Sequence, residues 1–511
     1  MELSKIKAFF PSSRGRWILF IKTSLPVIFA AMIFAMNSFV DNFTAINIPN
    51  ANQALSYANT WTSMSSGIIT STSMVGSALF AQYLGLNDKL KIRQVLRARA
   101  SFALLIAILF ALPALIAPEQ MVRLISGFDN IPIPILNEAK DYTRWISISW
   151  ILSAWGYTNS MVLRESGHGN VSLISACVSL VSNIVLNVSF IFGIGEKTVY
   201  LAYTTIISMV ISISFMNVFI WIKDKRILIN PFKIFGVSWL IWKQFFKRIS
   251  SFILLAIGSA TVSMRFVFWN KGYPTGAVGS DPNYDLSAAT ILGISGMFFN
   301  IFWTTFESIN ANIAIFVGKE LGHNNITQAK ANAKELQGFH LITAMIMATL
   351  LFSLSFAVVK MHFLTDGYAK GLEETLAKEN PGWTSEQIST IVNQGRDQFL
   401  ENLKITLWPL SWNMPIWIWY LTKKTIIASG GLTDATSLAD TIMGILQIAW
   451  IAIINLVIIH DDFRPIAFPW AYAMFFISDL IKIPLFEILY YKLNWARNVT
   501  IETEVVKEDL L

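Results

Sequence analysis

Long apolar runs separated by short polar segments recur along the whole chain. Each run is long enough to cross the hydrocarbon core of a bilayer as a helix, which takes about 20 residues. Twelve runs can be counted, each with ends fixed only to within a few residues: 23–48, 57–82, 100–118, 145–163, 171–195, 198–222, 249–270, 286–318, 336–360, 403–422, 437–460 and 465–491. The pattern predicts an all-α membrane protein with twelve transmembrane helices, here called spans 1 to 12.

Lysine and arginine residues are concentrated in alternate connections between the spans. They occur before span 1 and after spans 2, 4, 6, 8 and 10, whereas the segment 49–56 contains none. Because basic residues are enriched in cytoplasmic loops, we expect both termini of this multi-pass protein to be cytoplasmic and the membrane to be the plasma membrane. Segment 361–402 is then external, and a capping box at Thr384 and Gln387 predicts an amphipathic helix there that leads into span 10.

Composition supports the membrane assignment. Hydrophobic residues make up 54% of the chain and charged residues 14%, whereas soluble domains have about 25% charged residues. The net charge of +7 would suit nucleic acid if it formed one patch, but its alternation between connections is explained by membrane topology, so no nucleic-acid partner is expected. Cys177 is the only cysteine, which excludes an internal disulfide.

A repeated pattern divides the chain into two halves. Span 2 ends in GSALFAQYLGLNDKLKIRQV and span 8 in ANIAIFVGKELGHNNITQAKAN, so Leu84-Gly85 and Leu321-Gly322 each precede a polar turn and a basic helix start. A helix C-cap accounts for each glycine locally, but the match between halves also indicates duplication. We therefore predict two six-helix bundles, residues 1–235 and 236–511, related by a pseudo-two-fold axis, with a cavity between them.

Span 1 contains a single ionisable residue, Asp41. A carboxylate in a membrane span costs about 2.5–3.5 kcal/mol on insertion scales, so such residues usually face the protein interior and function there. Asn37 lies one helical turn before Asp41, and Asn183 and Asn187 share one face of span 5. These amides either converge on Asp41 or hold helices together, at about 0.6 kcal/mol each.

Other polar residues of the spans can have either a structural or a functional role. Arg265 in span 7 and Glu307 in span 8 are expected to form an ion pair with each other, with contact to substrate as the alternative. Asp479 and Lys482 lie on one face of span 12 and are expected to pair. Pro26 is either the first residue of a helix or the site of a kink. The five histidines show no metal-ligand spacing.

Several segments resemble the MATE (multidrug and toxic compound extrusion) family. They are Leu25-Pro26 with Phe39-Val40-Asp41 in span 1, the turn Gly85-Leu86-Asn87-Asp88, the sequence LRESGHGN at 163–170, and Asn183 to Gly193 in span 5. Glu165 and Ser166 depart from the family's Leu-Arg-Gly-x-Gly pattern, and Asn187 stands where related sequences often have an acid. The resemblance covers nearly all of the N-terminal half.

The resemblance implies a cation-coupled antiporter that exports amphiphilic, often cationic drugs or toxic metabolites by alternating access. It places the cation-coupling site at Asp41, Asn183, Asn187 and Thr205. Oxygen ligands of these residues suit a hard cation such as Na⁺, while burial disfavours a charged carboxyl group and so favours a proton; the coupling ion therefore remains H⁺ or Na⁺. Asn37, Pro26, Arg265 and Glu307 are candidates for lining the substrate cavity. We expect no cofactor, no metal beyond a possible Na⁺ at Asp41, and a monomer in the lipid bilayer.

Three other functional classes compete with export, of which a scaffold or receptor without transport is disfavoured by the buried acid and the duplicated halves. A flippase for a lipid-linked precursor would need a strongly cationic central cavity; the N-terminal spans lack Lys and Arg in their core, although Arg265 keeps this alternative open. An enzyme is not expected, because the sequence has no phosphate-binding glycine loop, no HExxH motif and no plausible Ser-His-Asp set.

Overall fold

The computed structural model describes residues 9–45, 48, 51–125, 133–273, 288–366, 369, 372–373, 376–377, 380–458 and 466–500. Within these ranges the protein consists of helices and contains no strand. The helices that correspond to the twelve spans are α1 (Arg14–Ala45), α2 (Ala51–Gly85), α3 (Lys89–Ile116), α4 (Ile133–Glu165), α5 (Gly169–Gly193), α6 (Thr198–Lys223), α7 (Ile249–Gly272), α8, α9 (Ile326–Val358), α10 (Ser385–Ser429), α11 (Thr433–Ile453) and α12. The predicted all-α architecture is thereby confirmed.

Two of these helices are interrupted. Helix α8 consists of Ala288–Trp303, Thr305–Ile313, a π-helical turn at Ala314–Gly318 and Lys319–Gly322. Helix α12 consists of Phe468–Phe476, a 3₁₀ turn at Ile477–Ile481 and Lys482–Lys492. In the described part of the chain, six helices are long and apolar enough to span a membrane by length and composition alone: α1, α3, α5, α6, α9 and α11.

The helices pack as two lobes with matching internal contacts. In the N-lobe (α1–α6), α1 packs on α5 and α3 packs on α4; in the C-lobe (α7–α12), α7 packs on α11 and α9 packs on α10. Between the lobes, α1 contacts α8 and α2 contacts α7. This correspondence is what a duplicated six-helix unit produces. The short helix Trp239–Phe246 lies against α3, and the predicted boundary at residue 235 stays a prediction.

The two predicted repeat glycines lie where the lobes meet. A Cβ atom at Gly322 would lie 2.2 Å from the carbonyl oxygen of Gln82, and one at Gly85 would lie 2.4 Å from that of Lys319. The left-handed residues of the two turns are instead Asn87, with φ 55°, and Asn324, with φ 60°. Gly85 and Gly322 therefore let the ends of α2 and α8 approach each other, on what we call the terminal face because α1 also begins there.

Two local predictions can be compared directly with the helices. The capping box at Thr384 and Gln387 is present and begins α10, which continues without a break to Ser429. Pro26 lies inside α1, well after its first residue Arg14. The alternative that Pro26 is the first helical residue is therefore wrong, because the basic segment before the apolar run is itself helical. Parts of segment 361–402 lie outside the described residues.

Candidate functional site

The carboxylate of Asp41 is held at the junction of three helices of the N-lobe. Asp41 is 8% exposed. Its Oδ1 accepts a hydrogen bond from Asn187 Nδ2 of α5 at 2.9 Å, and its Oδ2 accepts one from Thr205 Oγ1 of α6 at 3.0 Å. Each helix positions one of these groups because spacings of three or four residues place polar side chains on the buried face of an otherwise apolar helix.

A second set of contacts orients the amide of Asn187. Its Nδ2 also donates to Asn183 Oδ1 at 3.2 Å, and Thr204 Oγ1 donates to Asn187 Oδ1. The amide nitrogen of Asn183 is buried and has no hydrogen-bond partner among the described residues. The structure thus brings Asp41, Asn183, Asn187 and Thr205 together, and it adds Thr204. Sequence reasoning missed Thr204, although the Thr-Thr pair in α6 was a visible signal.

The donors around Asp41 are neutral. No lysine or arginine of the described chain forms an ion pair with this carboxylate, and the described residues contain no group of three or more His, Cys, Asp or Glu side chains that would suit a metal ion. No charged side chain among the described residues therefore compensates the negative charge of an ionised Asp41. The nearby oxygens of Asn183, Asn187 and Thr205 are the kind of ligand that a hard cation prefers, and a proton on the carboxyl group would equally neutralise it.

Asn37 and Pro26 lie outside this set of contacts. The Asn37 amide nitrogen donates to the carbonyl oxygen of Phe34 in its own helix at 3.3 Å. Pro26 lies at the contact between α1 and the first turn of α5, where a Cβ atom at Gly169 would be 3.7 Å from Pro26 Cβ. At about 1.5 Å of rise per residue, Pro26 and Asp41 are separated by roughly 22 Å along α1.

The predicted ion pair between Arg265 and Glu307 is wrong. Glu307 Oε2 instead lies 2.8 Å from Arg164 Nη1 of α4, and Glu307 Oε1 accepts a hydrogen bond from the Tyr157 hydroxyl at 3.3 Å. The reason is that α8 lies at the lobe interface, so that its acid faces the N-lobe. Adjacent spans in sequence need not present their polar groups to each other.

Arg265 belongs to a polar cluster inside the C-lobe. Its Nη2 donates to Gln447 Oε1 at 2.6 Å, and Gln447 Nε2 donates to Asp479 Oδ1 at 2.8 Å. Lys482 Nζ lies 2.6 Å from the same carboxylate oxygen, which confirms the predicted pair on α12. Trp417 Nε1 donates to Asp479 Oδ2 at 2.9 Å. Asp479 is therefore surrounded by partners from three helices.

Additional contacts hold the lobes together on the terminal face. Arg16 Nε of α1 lies 2.7 Å from Glu335 Oε2 of α9. Gln82 of α2 donates to the carbonyl oxygen of Ser429 at 2.9 Å and accepts a hydrogen bond from the backbone nitrogen of Val499 at 2.8 Å. Gln82 is fully buried. The space between the lobes is therefore closed on this face.

Comparisons with known proteins agree with this architecture. Residues 26–189 match the family model MatE. The fold matches 32 chains of solved structures. They include a MATE in the straight conformation (13% identity, TM-score 0.68, covering 98% of this chain and 99% of that one) and an outward-facing multidrug resistance MATE family transporter of the MOP superfamily (13%, 0.64, 98% and 98%).

Another similar structure is a MOP superfamily transporter from Pyrococcus furiosus, described as having a binding pocket of reverse polarity that suggests a different function. It is 14% identical, with a TM-score of 0.63, and the match covers 95% of this chain and 97% of that one. At such identities the likeness shows the fold. No curated protein sequence matches the chain significantly.

Proposed function

We propose, from the match of residues 26–189 to the MatE family model and from the fold shared with MATE structures, that the chain is a cation-coupled antiporter of the MATE family. It exports amphiphilic, often cationic compounds from the cytoplasm by alternating access, as a monomer in the plasma membrane. The coupling ion is H⁺ or Na⁺, and Asp41 binds it. The terminal face is the cytoplasmic face, as the distribution of Lys and Arg favours.

One observation carries this proposal: a buried carboxylate with only neutral donors lies where three apolar helices meet. Burying an acid in a membrane span without a compensating charge is costly, and Asn187 and Thr205 supply hydrogen bonds but no charge. A cation that neutralises Asp41 removes this cost. The carboxylate is therefore better explained as a binding site for an exchangeable cation than as a group that only packs helices together.

Coupling requires that the cation and the substrate prefer different arrangements of the lobes. A ligand shifts a conformational equilibrium only by the difference in its affinities for the two states. Helix α1 carries Asp41 and contacts α8 of the other lobe, so a change in the charge of Asp41 acts on a helix of the lobe interface. A cationic substrate binds better when Asp41 is ionised. Binding of the coupling ion neutralises Asp41 and so takes the place of the substrate's positive charge.

The test is gradient-driven transport by the purified chain in liposomes. Transport of tetramethylrhodamine ethyl ester, an amphiphilic cation, is measured under a proton gradient alone and under a Na⁺ gradient alone. We expect one of the two gradients to drive transport, and Asp41→Asn to abolish that drive. Glu119→Gln serves as the control, because Glu119 is an exposed acid paired with Arg123 outside the lobe core. Full gradient-driven transport by Asp41→Asn would remove Asp41 from the mechanism.

A further inference from the structure

One polar cluster in the N-lobe and one in the C-lobe are built on corresponding helices. In the N-lobe the cluster joins α1, α5 and α6, through Asp41, Asn187 and Thr205. In the C-lobe it joins α7, α11 and α12, through Arg265, Gln447 and Asp479. The first, fifth and sixth helices of each repeat therefore meet at a polar centre. Duplication explains the shared position, while the residue types have diverged.

The two clusters carry opposite charge. In the N-lobe, Asp41 is surrounded by neutral donors. In the C-lobe, the charge of Asp479 is met by Lys482 at 2.6 Å, and this leaves Arg265 as the surplus charge. Its partners are the neutral side chain of Gln447 and the ring of Phe475, whose centroid lies 5.2 Å from the guanidinium carbon.

The guanidinium of Arg265 has unused hydrogen-bonding capacity. No carboxylate among the described side chains lies within ion-pair distance of it, and its Nε is buried without a hydrogen-bond partner in the described part of the chain. A guanidinium remains charged in proteins and presents its donors as a planar fork that matches a carboxylate. Arg265 thus lacks the anion that its geometry suits.

Arg265 lies on a helix that takes part in the lobe interface. Arginine within a membrane span faces the bundle interior or an aqueous cavity, and Arg265 is only partly buried. Its helix α7 packs on α11 within the C-lobe and on α2 across the interface, as α1 packs on α5 and α8. Arg265 and Asp41 therefore lie on the helices that border the space between the lobes from either side.

We propose that Arg265 binds a carboxylate group of the transported compound, so that the protein prefers zwitterionic amphiphiles, whose cationic part lies toward Asp41 and whose acidic part lies at Arg265. This inference rests on the proposed export function and names its substrate class. Two oppositely charged sites on helices that border the lobe interface select a molecule with both charges over one with a single charge, since a simple cation leaves Arg265 without a counter-charge.

The test compares two dyes that differ in one group. Tetramethylrhodamine carries a free carboxylate, and its ethyl ester has the same ring system without that charge. Their equilibrium binding to the purified protein is measured by fluorescence polarisation, without any ion gradient. We expect the free acid to bind about 10- to 100-fold more tightly than the ester, the range for a hydrogen bond to a charged group. Arg265→Gln is expected to reduce acid binding to the ester level, and Arg265→Lys to retain part of the preference.

Controls separate recognition from a structural role. Arg396→Gln removes the same charge from an exposed C-lobe ion pair with Asp366 and is expected to leave both affinities unchanged. If the wild type does not prefer the acid, or if Arg265→Gln weakens both dyes equally, the proposal is overturned. Lowering the chloride concentration, with osmolarity kept constant by sucrose, tests for a free anion: ester binding that depends on chloride would make a free anion the occupant and also refute the proposal. Since binding needs no gradient, a failure of ion coupling at Asp41 would be seen separately.

Discussion

The ion pair between Glu307 of α8 and Arg164 of α4 joins the two lobes directly, at 2.8 Å. Glu307→Gln removes its charge while keeping an acceptor for the Tyr157 hydroxyl. We expect this substitution to shift the conformational equilibrium toward separated lobes on the terminal face. The reason is that the interaction exists only when α4 and α8 are in contact, so its loss penalises the closed state alone.

The size of the shift follows from the burial of the pair. The side chains of Arg164 and Glu307 are 9% and 19% exposed, between the fully buried pairs whose disruption costs about 3–5 kcal/mol and the surface pairs that contribute about 0–1 kcal/mol. Arg164 also keeps a hydrogen bond to Ser172 at 3.1 Å. A loss of about 2 kcal/mol is therefore expected, which shifts the equilibrium roughly 30-fold.

Spin-label distances measure this shift, and the chain is convenient for labelling because Cys177 is its only cysteine. In a Cys177→Ser background, labels at Lys89→Cys and Lys330→Cys report on the starts of α3 and α9, which are exposed and lie in different lobes. Glu307→Gln is expected to increase the population with long distances between the labels. The populations are compared with and without the substitution in the same lipid.

A matched control removes an acid that does not join the lobes. Glu165 pairs with Arg99 at 2.7 Å inside the N-lobe, and both side chains are almost fully buried. Glu165→Gln is expected to lower the melting temperature without changing the label distances. If Glu307→Gln leaves the distance distribution unchanged, or if Glu165→Gln changes it as much, the ion pair between α4 and α8 does not stabilise the closed state.

Two further predictions follow from the terminal face. Gly322→Ala is expected to favour separated lobes in the same label assay, because the added Cβ atom would collide with the carbonyl oxygen of Gln82. Gly296→Ala is the control, since no atom lies within 4 Å of a Cβ at that position, and it should have no such effect. Hydrogen bonds from Arg226 hold the pKa of Asp224 below its usual value of 3.8. The ionised carboxylate therefore stabilises the fold above about pH 4. This contribution is lost as the pH falls through the lowered pKa. The melting-temperature difference between wild type and Asp224→Asn should therefore shrink on acidification below about pH 4; a difference that is constant from pH 7 to pH 3 would contradict this.

Spacing within single helices was enough to identify most of the candidate site. Asp41 is the only acid of its span, and Asn183 and Asn187 share a face because they are four residues apart. The contact between these residues depends on how α1 packs on α5, which spacing does not specify; the family resemblance supplied that step, together with Thr205. Thr204 was missed because it orients Asn187 rather than Asp41.

Sequence patterns did not predict the contacts between the lobes. The partner of Glu307 lies 143 positions away in α4, and no periodicity encodes such a pairing. Gly85 and Gly322 were explained locally as helix C-caps, for which a left-handed conformation is typical. That conformation is instead adopted by Asn87 and Asn324. The glycines are needed for a close approach between two helices, which is a property of the assembled bundle and not of either turn.

Helix α1 connects the proposed cation site to the lobe interface. Arg16 at its start is bound to Glu335 of α9, Asp41 near its end is bound to α5 and α6, and Pro26 lies between them. A proline inside a helix removes one backbone hydrogen bond and permits a bend at that point. We therefore expect the part of α1 that carries Asp41 to repack on α5 when its charge changes, while the part that carries Arg16 stays on α9. For the cation to act on the terminal face, the bend at Pro26 must differ in energy between the two charge states of Asp41, because a helix that bends equally in both states transmits no coupling free energy.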